Sequence, residues 1–220
     1  MRPAADSPWI DFNLYLITDR MKIDGRLLYF VIEEALRGGV RAVQLREKDL
    51  SSRELYETAY ELRKLTTRHN AKLFINDRVD IALAVDADGV HLGYSSLPIY
   101  RARQVLGEKK LIGVSCHNQV QAITAQEKGA DFITFGPIFF TPSKAPFGEP
   151  VGIAKLEEII DLMKIPVFAL GGIDPDNVGE IVTTGVHGIA LVSAILGAAG
   201  PREAARNMLS LIPASEQNFE

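Results

Sequence analysis

Eight short apolar runs punctuate the chain, at residues 14–18, 40–45, 73–75, 89–92, 111–114, 132–135, 167–170 and 189–192. They are of strand length and continuous rather than alternating, as strands covered on both faces of a parallel sheet are. Between them apolar residues recur at helical spacing. Leu28, Val31, Ile32 and Ala35 form one stripe, ended by Gly38 and Gly39. Ser51 and Glu54 form a capping box ahead of Leu55, Ala59 and Leu62. A short helix is expected over residues 81–85 and a longer one near 153–163. After Gly171 and Gly172, Asp174 is the expected N-cap and Pro175 the first helical residue; Val178, Ile181 and Val182 give the apolar stripe and Gly185 the C-cap.

Strand and helix alternate eight times with no linker of biased composition. This predicts an α/β fold, a single (β/α)8 TIM barrel domain over residues 1–220, with residues 1–12 as an N-terminal tail. A weak internal repeat agrees. GGVRAVQL, DADGVHLG, KGADFITFG and TGVHGIALV each set glycine ahead of a strand, about two βα units apart. A dinucleotide-binding sheet needs a glycine fingerprint after its first strand, and LYLITDR has none. No P-loop, zinc-spaced cysteine pair or His-Glu-x-x-His motif is present.

Composition narrows the partners. A chain of 220 residues, 47% hydrophobic, can bury a sizeable core. A net charge of −4 argues against a nucleic-acid or anionic-membrane surface, so the cations that matter must be local. Cys116, the single cysteine, has no intramolecular disulfide partner and fits a reducing compartment. No apolar run is long enough to span a membrane, and MRPAADSPWIDF lacks the apolar core of a signal peptide. A cytoplasmic protein is expected, with self-association into a homo-oligomer left open.

In such a barrel the chemistry sits at the carboxyl ends of the strands. The residues there are Gln44, Arg46 and Lys48, Asn76 and Asp77, Ser115 and His117, Thr141, Ser143 and Lys144, Gly171 and Gly172, and Ser193. Arg46 and Lys48, if extended, point to one side. With Lys144 they bring three cations to one mouth, a plausible site for a polyphosphate. Asp77 among them makes electrostatic sense if it holds a divalent cation that bridges phosphate oxygens. Gly172 and Ser193, with helix N-termini behind them, suit a phosphate dianion; a purely structural glycine turn is the competing reading. His117 is a candidate for proton transfer, His91 for a structural hydrogen bond and Cys116 for a buried, inert thiol.

Seven ordered motifs then carry a resemblance: QLREK at 44–48, FINDRVDIAL at 74–83, GVHLG at 89–93, GVSCH at 113–117, GPIFFTPSK at 136–144, LGGI at 170–173 and GIALVSAI at 188–195. Together they resemble the thiamine phosphate synthase superfamily, over about residues 14–211. That resemblance implies a (β/α) barrel and one of two activities. A synthase joins hydroxymethylpyrimidine diphosphate to thiazole phosphate with release of pyrophosphate, using Mg2+; a thiazole tautomerase of the same pathway would use His117. By resemblance, Gln44, Arg46, Lys48, Asn76, Ser115 and Lys144 contact the pyrimidine diphosphate. Thr141, Ser143, Gly172, Val192 and Ser193 hold the thiazole phosphate, and Asp77 matches a magnesium ligand. The pattern departs at Tyr94–Ser95–Ser96, where a synthase normally carries Gln-x-Asp, so Ser96 replaces the second metal carboxylate. Retention of Lys48, Asn76, Asp77, Ser115 and Lys144 favours a diphosphate substrate, and so the synthase. A non-catalytic phosphate-ligand binder, which would show erosion of those cations, is the third alternative.

Overall fold

A computed structural model describes residues 10–93, 95–142 and 149–213. Eight parallel strands close a barrel in sequence order: β1 (Leu14–Ile17), β2 (Ala42–Leu45), β3 (Lys72–Asn76), β4 (Gly89–Leu92), β5 (Leu111–Cys116), β6 (Phe132–Phe135), β7 (Val167–Leu170) and β8 (Gly188–Leu191), with β8 pairing back to β1. The helices of the outer ring include α1 (Leu28–Arg37), α2 (Ser52–Arg68), α3 (Val79–Ala84), α4 (Ile99–Leu106), α5 (Gln119–Glu127) and α6 (Gly152–Leu162). They continue with α7 (Val178–Val182), α8 (Ser193–Leu196) and α9 (Pro201–Leu211). Among the described residues, no helix is long and apolar enough to cross a membrane.

The predicted (β/α)8 barrel is therefore present, and each expected strand lies where the apolar runs put it. The capping box at Ser51 forms as read, with the Ser51 hydroxyl and Glu54 carboxylate each bonding the other's backbone N–H. The helix after Gly172 does not start where expected. Asp174 Oδ1 instead accepts from the N–H groups of Asp176 and Asn177, closing a separate turn, and α7 begins at Val178 with Asn177 as its N-cap. A side chain that satisfies its own downstream backbone competes with helix initiation, which delays the start.

Two cores hold the barrel. The larger packs the strands' outer faces against the helices; the smaller fills the barrel and is aromatic. Tyr15, Phe74, Phe132 and Phe168 lie fully buried inside it. Each stands in register with small neighbours: Tyr15 with Ala42 and Ala190, Phe74 with Gly89, Phe132 with Gly113, Phe168 with Gly188. A Cβ on Gly113 would come within 2.4 Å of the Phe132 ring, so glycine there makes room for the aromatic ring. Phe12 closes the bottom, its ring 5.2–6.0 Å from those of all four.

The internal repeat has a structural counterpart. Asp88, just ahead of β4, accepts from Leu73 N–H (2.7 Å) and pairs with Arg63 of α2 (2.5 Å). Asp131, just ahead of β6, accepts from Ile112 N–H (2.7 Å) and pairs with Arg103 of α4 (2.6 Å). One helix arginine and one pre-strand aspartate tie neighbouring strands together twice.

Candidate active site

Along each strand, the side chain two residues beyond an inward-facing one also points inward. Beyond the aromatic floor this brings Gln44, Asn76, His91, Ser115 and Thr134 to the next level, toward the carboxyl ends. Gln44, His91 and Thr134 are almost fully buried and Ser115 half-buried. They are joined. Gln44 Nε2 donates to Tyr15 Oη (3.1 Å), and Tyr15 Oη lies 3.4 Å from His91 Nδ1. His91 Nε2 lies 3.0 Å from Ser115 Oγ and 3.4 Å from Thr134 Oγ1. Burial pushes the His91 pKa down to about 3, with help from the charge of Arg46, and burial lifts that of Tyr15 well above the usual phenol range. The network therefore carries no ionised group at neutral pH. Tyr15, His91 and Thr134 were not among the residues singled out for ligand contact. Their signal was the period-two alternation within their own strands, as from Gly89 to His91 and from Phe132 to Thr134, which is informative only once the strands close into a barrel.

Arg46 follows β2 directly, half-buried, its backbone N–H donating to Thr18 Oγ1 (2.9 Å). Lys48 does not continue the extended line of Arg46, contrary to expectation. Glu47 turns inward, where its Oε2 accepts from Arg20 N and Nε (both 3.2 Å), and Arg20 also binds Asp49 (2.6 Å). That tie bends the chain, so Lys48 sits exposed in a turn.

At the end of β3, Asp77 adopts the left-handed conformation (φ 63°), its N–H bonded to His91 O across the sheet (3.0 Å). Non-glycine residues are uncommon there and aspartate is among the more tolerant. Its Oδ1 accepts a hydrogen bond from the Ser96 hydroxyl, which in turn accepts from Gly93 N–H (2.5 Å). Strand ends three and four thus bring Asp77 and Ser96 together. Tyr94 lies outside the described residues.

The two glycines after β7 have a packing role beyond any ligand contact. Gly171 and Gly172 both take positive φ (103° and 68°), and added Cβ atoms would come 2.6 Å from Pro137 Cβ and from Phe140 O. Ile138 and Phe139 N–H groups donate to Leu170 and Gly171 carbonyls (2.9 and 3.0 Å). The segment after β6 is thereby laid across the end of β7, carrying half-buried Thr141 toward Gly172. Ser143 and Lys144 lie outside the described residues. Because α7 starts at Val178, no helix N-terminus stands directly behind Gly172; only Ser193, the exposed first residue of α8, has one. Val192, its N-cap, is half-buried against the aromatic core.

His117 is held differently from a proton shuttle in the mouth. Its Nδ1 lies 2.5 Å from the Gly136 carbonyl and its backbone N–H donates to Gln121 Oε1. Its side chain borders a cleft of about 400 Å³ on the outer flank, shared with Val151, Lys155 and Ile159. Cys116 is buried and its thiol is pushed up to about 12 by desolvation, so it is inert as read.

Known proteins agree with this geometry. A relative from Geobacter sulfurreducens is 57% identical over 93% of this chain and 96% of its own length. The thiamine-phosphate synthase of Clostridium novyi is 49% identical over 85% of this chain and 92% of its own. The solved thiamine phosphate pyrophosphorylase of Pyrococcus furiosus superposes with a TM-score of 0.85 at 40% identity, covering 92% of this chain and 96% of that one. Residues 14–195, from the first strand to the helix after the eighth, match the thiamine monophosphate synthase family, and the chain belongs to it.

Proposed function

We propose that this protein joins hydroxymethylpyrimidine diphosphate to thiazole phosphate, forming thiamine phosphate and pyrophosphate. The observation that carries the reading is the set of polar and cationic residues at the strand ends, in a chain that matches named synthases over nearly all of its length. In this reaction the bond between the pyrimidine methylene carbon and the diphosphate oxygen breaks, its electron pair leaving with the diphosphate. The thiazole ring nitrogen then supplies the pair for the new carbon–nitrogen bond. No general base is required. What is required is stabilisation of the negative charge that grows on the leaving group. Arg46, with Lys48 and Lys144, serves that role. Gln44, Asn76 and Ser115 hold the pyrimidine diphosphate. Thr141, Ser143, Gly172, Val192 and Ser193 receive the thiazole phosphate.

Magnesium fits this site in one form. Among the described residues there is no group of three or more His, Cys, Asp or Glu side chains that could hold a metal ion, and Asp77 stands with a hydroxyl partner, Ser96. Magnesium is commonly held by one or two carboxylates together with substrate phosphates, so Asp77 would hold an ion shared with the diphosphate. Bound there, the ion neutralises charge on the leaving group. His117 borders the cleft on the outer flank, a placement that favours the synthase over a tautomerase using this histidine on a ligand of the mouth. The test is incubation with both phosphorylated substrates and magnesium, followed by mass detection of thiamine phosphate. Tautomerised thiazole without joined product would replace this reading.

A further inference from the structure

We propose that His91 is a positioning residue, held in its Nε2–H tautomer by Tyr15, and that this fixes Ser115 as a hydrogen-bond donor toward the barrel mouth. The direction of each bond follows from the one before. Gln44 Nε2 donates to Tyr15 Oη at 3.1 Å. The phenol oxygen, having accepted, has its own O–H to give, and His91 Nδ1 stands 3.4 Å away. Nδ1 then accepts and carries no proton. A neutral imidazole has a single N–H, which must lie on Nε2. Nε2 faces Ser115 Oγ at 3.0 Å, and Thr134 Oγ1 also donates to Ser115 Oγ, at 3.5 Å. With its lone pairs so occupied, the Ser115 hydroxyl directs its proton away from the interior. Ser115 is the half-buried member of this set, near the carboxyl end of β5. An imidazolium would donate from both nitrogens and break the order at Tyr15; burial and the nearby charge of Arg46 keep the ring neutral.

The ligand atom opposite Ser115 must therefore be an acceptor. On the proposed synthase reading, on which this consequence rests, it is a ring nitrogen or diphosphate oxygen of the pyrimidine substrate. The reversed arrangement, with the Nδ1–H tautomer, would make Ser115 donate inward and leave it a lone pair for the ligand.

The tautomer is read directly by nitrogen NMR of the full-length protein with 15N-labelled histidine, without substrate. Of the four histidines, His91 is the one whose signal disappears in His91→Gln. The expected result is an Nε2–H pattern that does not titrate between about pH 5 and 8. Tyr15→Phe removes the donor to Nδ1 and should release the tautomer into a mixture. It should also raise KM for the pyrimidine diphosphate about tenfold or more while leaving KM for thiazole phosphate unchanged. His91→Gln, which offers an amide N–H near the Nε2 position, should retain more affinity for the pyrimidine substrate than His91→Leu. An Nδ1–H or mixed pattern in the wild-type protein overturns the inference, whatever the activity. Absence of turnover with an intact Nε2–H pattern overturns the synthase reading instead and leaves the hydrogen-bond order standing.

Discussion

Asp77 shows how far one side chain's surroundings define its chemistry. Its carboxylate is oriented by Ser96, a neutral donor, in a backbone conformation that few non-glycine residues adopt. A single carboxylate holds magnesium weakly on its own. Ser96→Asp should lower the magnesium concentration needed for half-maximal rate, measured with both substrates saturating; superimposable curves for the two proteins would remove the metal-ligand argument. His117 poses the opposite case, a titratable side chain whose Nδ1 is held by a backbone carbonyl. The amide of Asn can reach the position of histidine Nδ1, so His117→Asn should keep turnover within a few-fold, whereas His117→Ala should lower it more. A loss in His117→Asn as deep as in His117→Ala would return His117 to proton transfer. The sequence indicated both residues as strand-end candidates. Their partners, Ser96 for Asp77 and the Gly136 carbonyl for His117, depend on contacts across 19 residues, which no local pattern displays.

At the scale of elements, the strands were legible because a parallel barrel buries both faces of each one, leaving continuous apolar runs such as 132–135 and 167–170. Segment ends were less so. The turn at Asp174 and the bend at Lys48 are each decided by a side chain, Asp174 Oδ1 and Glu47 Oε2, whose geometry competes with regular structure. The paired glycines after β7 were legible as a special turn, but their packing against Pro137 and Phe140 was not. Gly172→Ala therefore tests the element directly. A methyl group there meets Phe140 O at 2.6 Å in a left-handed backbone, so the segment carrying Thr141 must move. The variant should lose about 1–3 kcal/mol of stability and bind thiazole phosphate more weakly. Calorimetry and the KM for that substrate are the readouts, and wild-type values for both would contradict the packing role.

For the whole molecule, the aromatic floor and the buried polar groups above it support the mouth from inside the barrel, and this has a cost in acid. His91 stays neutral in the folded protein down to about pH 3, against 6.5 for an unperturbed histidine. Below 6.5 the unfolded chain binds a proton that the native protein refuses, so stability is complete above that pH and falls as pH drops toward 3. The slope from this group is at most about 1.4 kcal/mol per pH unit. Denaturant unfolding between about pH 7 and 4 should show this fall in the wild-type protein and a shallower one in His91→Gln; parallel curves would place the acid sensitivity elsewhere. The closed barrel was legible from eight alternations of strand and helix. The polar level was not, because Tyr15, His91 and Thr134 acquire their meaning from one another only when β1, β4 and β6 surround one interior.

The central claim is that this mouth makes a diphosphate leave and a thiazole nitrogen take its place. The most direct measurement follows pyrophosphate and thiamine phosphate together in one reaction of the wild-type protein with both substrates and magnesium. The account predicts that the two products rise in equal amounts, and that neither rises when thiazole phosphate alone is supplied. Pyrophosphate release without joined product, or no thiamine phosphate at any magnesium concentration, would contradict it.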